Sequence, residues 1–158
     1  MVNLISCLDR QFGELHRGHC ELIRAISPEL LYLRPPGSSS RFPLRSCGEY
    51  VLRGAATVEQ TFGGITTNLW DDPFEWTLPE TLKTPEDVAG YLAEVENTRK
   101  RGFELFHSDG DLLKEVMAPS GKTELLPLLL DTLARAGHHQ GGAKATLEIL
   151  NAISVGGK

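Results

Sequence analysis

Apolar residues recur every three or four positions through four long segments of the chain, and this repeat strongly limits the folds it can adopt. The spacing places each apolar set on one side of an α-helix with about 3.6 residues per turn. A lone amphipathic helix would leave that side in water, so the four segments must bury their apolar faces against each other. No segment alternates with the two-residue period of a half-buried strand. The sequence therefore predicts an all-α fold, a four-helix bundle.

The first predicted helix runs from about Asn3 to Ile26 and is followed by a loop. Its apolar face comprises Leu4, Leu8, Phe12, Leu15, His19, Leu22 and Ile26. Ser27 and Pro28 end the helix, because the residue before proline disfavours helical backbone angles. Residues 33–40 are rich in proline, glycine and serine, which is typical of a loop.

The second and third predicted helices have clear N-terminal signals. Ser46 and Glu49 have the spacing of a capping box, in which each side chain accepts a hydrogen bond from a free backbone N–H. Thr84 precedes Pro85 and two acidic residues, the usual chemistry of a helix start. The two apolar faces comprise Val51, Ala55, Val58, Phe62, Ile65 and Leu69, and then Val88, Leu92, Val95, Arg99, Gly102 and Phe106. A long, irregular, acidic and aromatic crossing joins the two helices.

The fourth predicted helix starts near Thr123 and runs to about Asn151. Pro127 is tolerated there, because the first turn of a helix has unpaired backbone donors in any case. We expect a short turn over residues 112–117 before it.

Length and composition restrict the functional classes. The 158 residues suit one domain, 1–158, and the net charge of −5 argues against an extended nucleic-acid surface. No stretch approaches the ~20 apolar residues that span a bilayer, so we expect no membrane partner. The three cysteines lack Cys-x-x-Cys spacing. The N-terminus lacks the pattern of a signal peptide, which predicts a cytoplasmic protein.

The order of these elements resembles the DinB-like family over nearly the whole chain. The similarity is carried by LYLRPP (residues 31–36), SCGE (46–49), TPED (84–87) and GHHQGG (137–142). The last motif resembles the family's His-x-x-x-His run. The resemblance implies a four-helix bundle with a long crossing between helices two and three, and it also suggests a homodimer.

The resemblance also implies a metal site, built from one histidine of helix two and two of helix four. Such sites hold a divalent cation, which activates a water or a thiol in thiol transferases, isomerases and hydrolases. The second histidine of helix four matches His139, the only family ligand retained, because the position four residues earlier is Arg135. The helix-two position falls on Arg53 when counted from Ser46 and on Gly54 when counted back from Val58.

Periodicity prefers Gly54 for the helix-two position, because Arg53 lies about 200° from Val51 around the helix and should face outward. Either choice leaves helix two without a histidine. Catalytic metals generally need three or more protein ligands, and arginine has no lone pair to donate. We therefore expect no metal cofactor. A zinc, nickel or manganese ion is the alternative.

Five residues form the predicted pocket: His19, Gly54, Arg99, Arg135 and His139. The helical wheel points Arg135 and His139 into the bundle, His19 and Arg99 belong to apolar faces, and Gly54 leaves room. One interpretation is a cationic pocket for a carboxylate or phosphate. The other is a structural network, in which the arginines pair with carboxylates such as Glu21, Glu59 or Glu94 and the histidines are hydrogen-bonded core residues.

Three functional hypotheses follow. The first is a DinB-like protein of unknown activity that has lost its metal and binds a small anion or has a structural role. The second is a metal-dependent thiol transferase or hydrolase that uses His139 with other ligands. The third is a homodimeric interaction module, since apolar bundle faces often pair.

Overall fold

Four α-helices make up most of the computed structural model, which describes residues 3–37, 41, 43–75 and 77–157. They are α1 (Leu4–Ala25), α2 (Cys47–Thr67), α3 (Pro85–Phe103) and α4 (Leu125–Gly156). Helices α1 and α2 each pack against both α3 and α4, so α1 and α2 lie diagonally across the bundle. The predicted all-α four-helix bundle is confirmed.

The predicted capping box at the start of α2 is present, and the predicted N-cap of α3, Thr84, also forms one. The Ser46 hydroxyl accepts from the Glu49 N–H at 3.2 Å, and the Glu49 carboxylate accepts from the Ser46 N–H at 2.9 Å. Thr84 and Asp87 form the same reciprocal pair at the start of α3, at 3.1 and 3.0 Å. These bonds satisfy backbone donors that a helix N-terminus leaves unpaired, so they fix where α2 and α3 begin.

The bundle core contains a cluster of four aromatic rings at one end. Phe12 meets Phe62 edge-on at a centroid distance of 5.1 Å, and Phe103 contacts both Phe12 and Phe106. Gly102 permits this packing, since a Cβ there would lie 2.4 Å from the Phe62 ring. Most of the predicted apolar faces thus meet in one core. Leu4 and Leu69 do not, because their side chains are 41% and 61% exposed and Leu69 lies beyond the end of α2.

Two connections position the helices around the core. The loop predicted over residues 33–40 is irregular as far as Gly37, and residues 38–40 lie outside the described part of the chain. The crossing from α2 to α3 begins after Asn68, whose positive φ of 58° ends α2. It then forms a short 3₁₀ turn at Pro73–Glu75, which packs against α2.

A β-hairpin precedes α4, where the sequence suggested a turn and no strand. Strands β1 (Glu115–Ala118) and β2 (Gly121–Glu124) pair antiparallel, with Ala118 opposite Gly121. The backbone of Gly121 has a φ of +112°, which side chains rarely allow, and this permits the two-residue turn. Helix α4 consequently starts at Leu125 rather than near Thr123, and it continues past the predicted end to Gly156.

No helix within the described residues is both long enough and apolar enough to cross a membrane.

Candidate functional site

A small polar cleft lies between α2 and α4, beside the 3₁₀ turn of the crossing. Its volume is about 160 Å³. Its charged, polar and aromatic walls include Arg53, Gln60, Asp72, Phe74, Arg135 and His139, and we call it the arginine cleft.

Helical spacing explains why these side chains meet. Arg53 and Gln60 are seven residues apart on α2, and Arg135 and His139 are four apart on α4, so each pair shares one side of its helix. Helices α2 and α4 pack against each other along their length. The crossing returns over α2 and adds Phe74 to the wall.

Arg53 is held over an aromatic ring and has an unused donor. Its guanidinium carbon lies 3.9 Å from the centroid of the Phe74 ring, which is cation–π geometry. Its Nε atom is buried and donates to no acceptor in the described structure. Burial, and next the charge of Arg45, lower the pKa of Arg53, while Glu49 and Asp72 act in the opposite direction. The guanidinium thus lies in a partly desolvated, mainly cationic environment.

His139 lies in the same environment, which disfavours its charged form. Burial lowers its pKa, and the charges of His138, Arg53, Arg45 and Arg135 lower it further. Its Nδ1 atom is buried and has no hydrogen-bond partner among the described residues. A neutral imidazole can donate from one ring nitrogen, so His139 can present an N–H to an acceptor in the cleft.

Arg135 is more exposed than Arg53 and is less firmly held. Its Nε donates to Asp131 at 2.9 Å, a pair one helical turn apart in which both side chains are at least half exposed. Exposed pairs of this kind stabilise a helix by only about 0.3–0.5 kcal/mol. The guanidinium can therefore turn toward a ligand at little cost.

His19 and Gly54 meet at the centre of the bundle. His19 is 2% exposed and its Nε2 has no hydrogen-bond partner within the described residues. A Cβ on Gly54 would lie 2.7 Å from that nitrogen, so glycine is what makes room for the imidazole. Burial, followed by the neighbouring His16, His139 and Lys144, lowers the pKa of His19 to about 3.

Arg99 lies apart from the arginine cleft. It donates to both oxygens of Glu96, at 2.8 and 2.7 Å, and it also pairs with Asp9. It borders a cavity of only about 20 Å³ between α1 and α3, together with His16 and His19. The structure thus brings Arg135 and His139 together, and His19 and Gly54 together, but it places Arg99 in an ion-pair network. Glu96 and Asp9 form that network, rather than the carboxylates suggested by the sequence.

Arg53, which periodicity predicts to face outward, is only partly exposed. Arg53 is half-buried and lines the arginine cleft with Arg135 and His139, whereas Gly54 faces His19. A long arginine stem at the margin of a core face can bring its head group into a neighbouring cleft. Gly54 is buried, as periodicity predicts, and a Cβ there would lie 3.4 Å from the Ala136 carbonyl oxygen of α4.

A divalent metal does not fit these residues. The arginine cleft offers one imidazole, and its two guanidinium groups are cations without a lone pair. Throughout the described ranges, no three histidine, cysteine, aspartate or glutamate side chains are grouped so that they could hold a metal ion.

No known protein-family model matches the sequence, and no curated protein matches it. The structure does match the crystal structure of a proposed DinB family member from Exiguobacterium sibiricum 255-15, with a TM-score of 0.66. The match covers 96% of this chain and 94% of that chain, at 22% sequence identity. At this identity the likeness shows the fold, so the chain has a DinB-like four-helix fold, in agreement with the resemblance of its sequence.

Proposed function

We propose that this chain is a DinB-like protein that binds a small anionic molecule in the arginine cleft. The observation that carries the proposal is the pair of unsatisfied polar atoms there, Nε of Arg53 and Nδ1 of His139, both buried. A buried donor left without an acceptor costs about 1–3 kcal/mol, and more when the group is charged. A carboxylate or phosphate oxygen that reached these atoms, after a small movement of the side chains, would accept from them and offset that cost.

The charge of the cleft supports an oxyanion as the ligand. Arg53 and Arg135 supply two guanidinium groups, which bind carboxylates and phosphates through paired N–H donors. Arg45 adds positive charge beside them, as its effect on the pKa of both Arg53 and His139 indicates. The volume of about 160 Å³ suits a small molecule or the head group of a larger one.

Binding of inorganic phosphate, acetate and propionate tests this function. We expect at least one of these anions to raise the midpoint of thermal unfolding in a saturable manner. Arg53→Met and Arg135→Met should each remove that increase, since methionine keeps much of the stem and loses the charge. Arg10→Met, at an exposed position on α1, is the matched control and should leave it intact. Equal stabilisation of all variants would show that the anions act elsewhere.

We propose further that the chain holds no resident divalent metal, and hence that it is not a metal-dependent transferase or hydrolase. Two guanidinium groups next to His139 would repel a cation. Elemental analysis of the purified protein should find well under one equivalent of zinc, nickel or manganese per chain. Stoichiometric metal that survives dialysis and disappears in His139→Ala would contradict the proposal.

A homodimer is the second candidate, and exposed apolar residues near the C-terminus of α4 favour it. Ile149 and Ile153 are one turn apart, and their side chains are 37% and 51% exposed. Apolar residues on one side of a helix are commonly covered by a partner. A second copy of this chain would cover them.

A further inference from the structure

We propose that the ligand of the arginine cleft is an amino acid, bound through its carboxylate by Arg53 and Arg135 and through its ammonium group by Asp72. This inference rests on the proposed anion-binding function and names the chemical class of the ligand.

Asp72 is the one carboxylate among the described side chains that line the arginine cleft. It lies close enough to Arg53 for its charge to act on that guanidinium. Within the described residues, however, the two groups are not within ion-pair distance. One carboxylate oxygen accepts from the Phe74 N–H at 3.0 Å, which fixes the side chain in place. The other oxygen remains able to accept a hydrogen bond.

Gln60 adds a second acceptor to the lining. Its Nε2 donates to the backbone carbonyl of Trp70 at 3.0 Å, so its amide oxygen is the atom left to accept from a ligand. The cleft therefore combines donors from Arg53, Arg135 and His139 with acceptors from Asp72 and Gln60.

This division of donors and acceptors matches a zwitterion. A simple carboxylate or a phosphate would satisfy the guanidinium groups but would be repelled by the Asp72 carboxylate. A molecule with a carboxylate and an ammonium group satisfies both, because each of its charges faces the opposite charge. The Phe74 ring already contacts the Arg53 guanidinium, which holds that cation in position before the ligand arrives.

Paired ligands that differ only in the ammonium group test the inference. Glycine is compared with acetate, β-alanine with propionate, and 4-aminobutyrate with butyrate, each by NMR titration of the full chain, a method suited to weak binding. We expect at least one amino acid to bind about tenfold more tightly than its partner carboxylate. The three amino acids differ in the distance between the carboxylate and the ammonium group. Their relative affinities therefore show which distance fits the cleft.

Asp72→Asn is the decisive variant, because asparagine keeps an oxygen for the Phe74 N–H and loses the charge. It should abolish the advantage of the amino acid and should not weaken carboxylate binding. Asp71→Asn is the matched control, since the neighbouring Asp71 lines a different cleft. Equal affinities within every wild-type pair, or an advantage that survives Asp72→Asn, would overturn the amino-acid assignment while Arg53-dependent carboxylate binding stands. Failure of all six ligands and of inorganic phosphate to bind would overturn the anion-binding function as well.

Discussion

Gly54 has no side chain, and this leaves space for the His19 imidazole at the centre of the bundle. We predict that Gly54→Ala lowers the free energy of unfolding by about 1–3 kcal/mol, the usual cost of overpacking a core. The new Cβ would lie 2.7 Å from His19 Nε2 and 3.4 Å from the Ala136 carbonyl oxygen. That strain outweighs the helix propensity gained, which is about 1 kcal/mol. Urea denaturation monitored by circular dichroism measures the difference.

Two controls separate the steric effect from helix propensity. Gly90→Ala on the exposed side of α3 meets no atom within 4 Å, and it should stabilise the protein by about 0.4–1 kcal/mol. The variant His19→Ala lacks the imidazole. In that background, Gly54→Ala should lower the free energy of unfolding by less than it does in the wild type. An equal cost in both backgrounds would show that His19 is not the obstacle.

His19 also makes stability depend on pH. Burial lowers its pKa to about 3, from an ordinary value of 6.5. As the pH falls through 6.5, His19 therefore becomes protonated in the unfolded chain. In the folded chain it stays neutral until about pH 3. The contribution of neutral His19 to the free energy of unfolding is fully present above pH 6.5. It is lost between pH 6.5 and about pH 3, by up to about 1.4 kcal/mol per pH unit.

The variant His19→Leu isolates that contribution from the other groups that titrate in acid. We expect its free energy of unfolding to fall less steeply than that of the wild type between about pH 6.5 and about pH 4. Urea denaturation at a series of pH values gives both slopes. Parallel slopes would mean that His19 takes up its proton equally in the folded and unfolded chains.

At the scale of elements, the two capping boxes do not stabilise their helices equally. The Ser46 side chain is fully buried, whereas Thr84 is exposed, so water can replace only the threonine cap. We predict that Ser46→Ala lowers the free energy of unfolding by about 1–2 kcal/mol, within the known range for N-caps, and that Thr84→Ala lowers it by less. Denaturant unfolding of the two variants compares them directly, and a Thr84→Ala cost as large as that of Ser46→Ala would refute the role of burial.

The helices could be predicted from the sequence because each carries its own periodicity and its own start signal, as Ser46 and Thr84 illustrate. The β-hairpin could not be predicted from the sequence. Each strand has four residues, too few for a period to be recognised, and a two-stranded sheet is marginal without support. Its support is tertiary: the Leu125 N–H donates to the Lys114 carbonyl at 3.0 Å, and Val116 packs against the core.

The candidate site was predictable only in part, for a related reason. A helical wheel gives the direction of a Cβ atom, and it predicts that Arg135 and His139 both point into the bundle. The two residues do line one cleft, but Arg135 lies at its exposed edge and not inside the bundle. It does not give the reach of a flexible side chain. The wheel therefore predicts that Arg53 faces solvent and does not show that its head group reaches the arginine cleft. Asp72 and Phe74 come from an irregular crossing, and no pattern in the sequence relates that crossing to the helices.

At the scale of the whole molecule, a cationic cleft in an acidic protein restricts the size of the proposed ligand. The net charge is −5, so a polyanion would be repelled by much of the surface. A small ligand inside the cleft responds chiefly to charges within a Debye length, about 8 Å at physiological salt. Arg45, Arg53 and Arg135 therefore favour a small anionic group even though the protein as a whole is acidic.

The whole molecule also has one helix that is much longer than the rest. Helix α4 has 32 residues, whereas α1 has 22, and at about 1.5 Å per residue this makes α4 some 15 Å longer. Its final turns expose Ile149, Ile153 and Val155, which are 37%, 51% and 78% accessible. Exposed apolar side chains contribute to stability through burial only if another molecule covers them.

We therefore predict a homodimer in which the C-terminal turns of α4 meet the same turns of a second copy, burying upward of ~1,000 Å². Light scattering at micromolar concentration should give about twice the chain mass of 17.4 kDa. Ile149→Lys combined with Ile153→Lys should shift the mass toward the monomer, because a charge buried in an apolar contact is costly. Leu130→Lys, at an exposed leucine near the other end of α4, is the control and should remain dimeric. A monomer mass for the wild type would refute the dimer. A dimer that tolerates the paired substitution would place its interface on other helix faces, because two like charges at the centre of the predicted contact would have to repel each other.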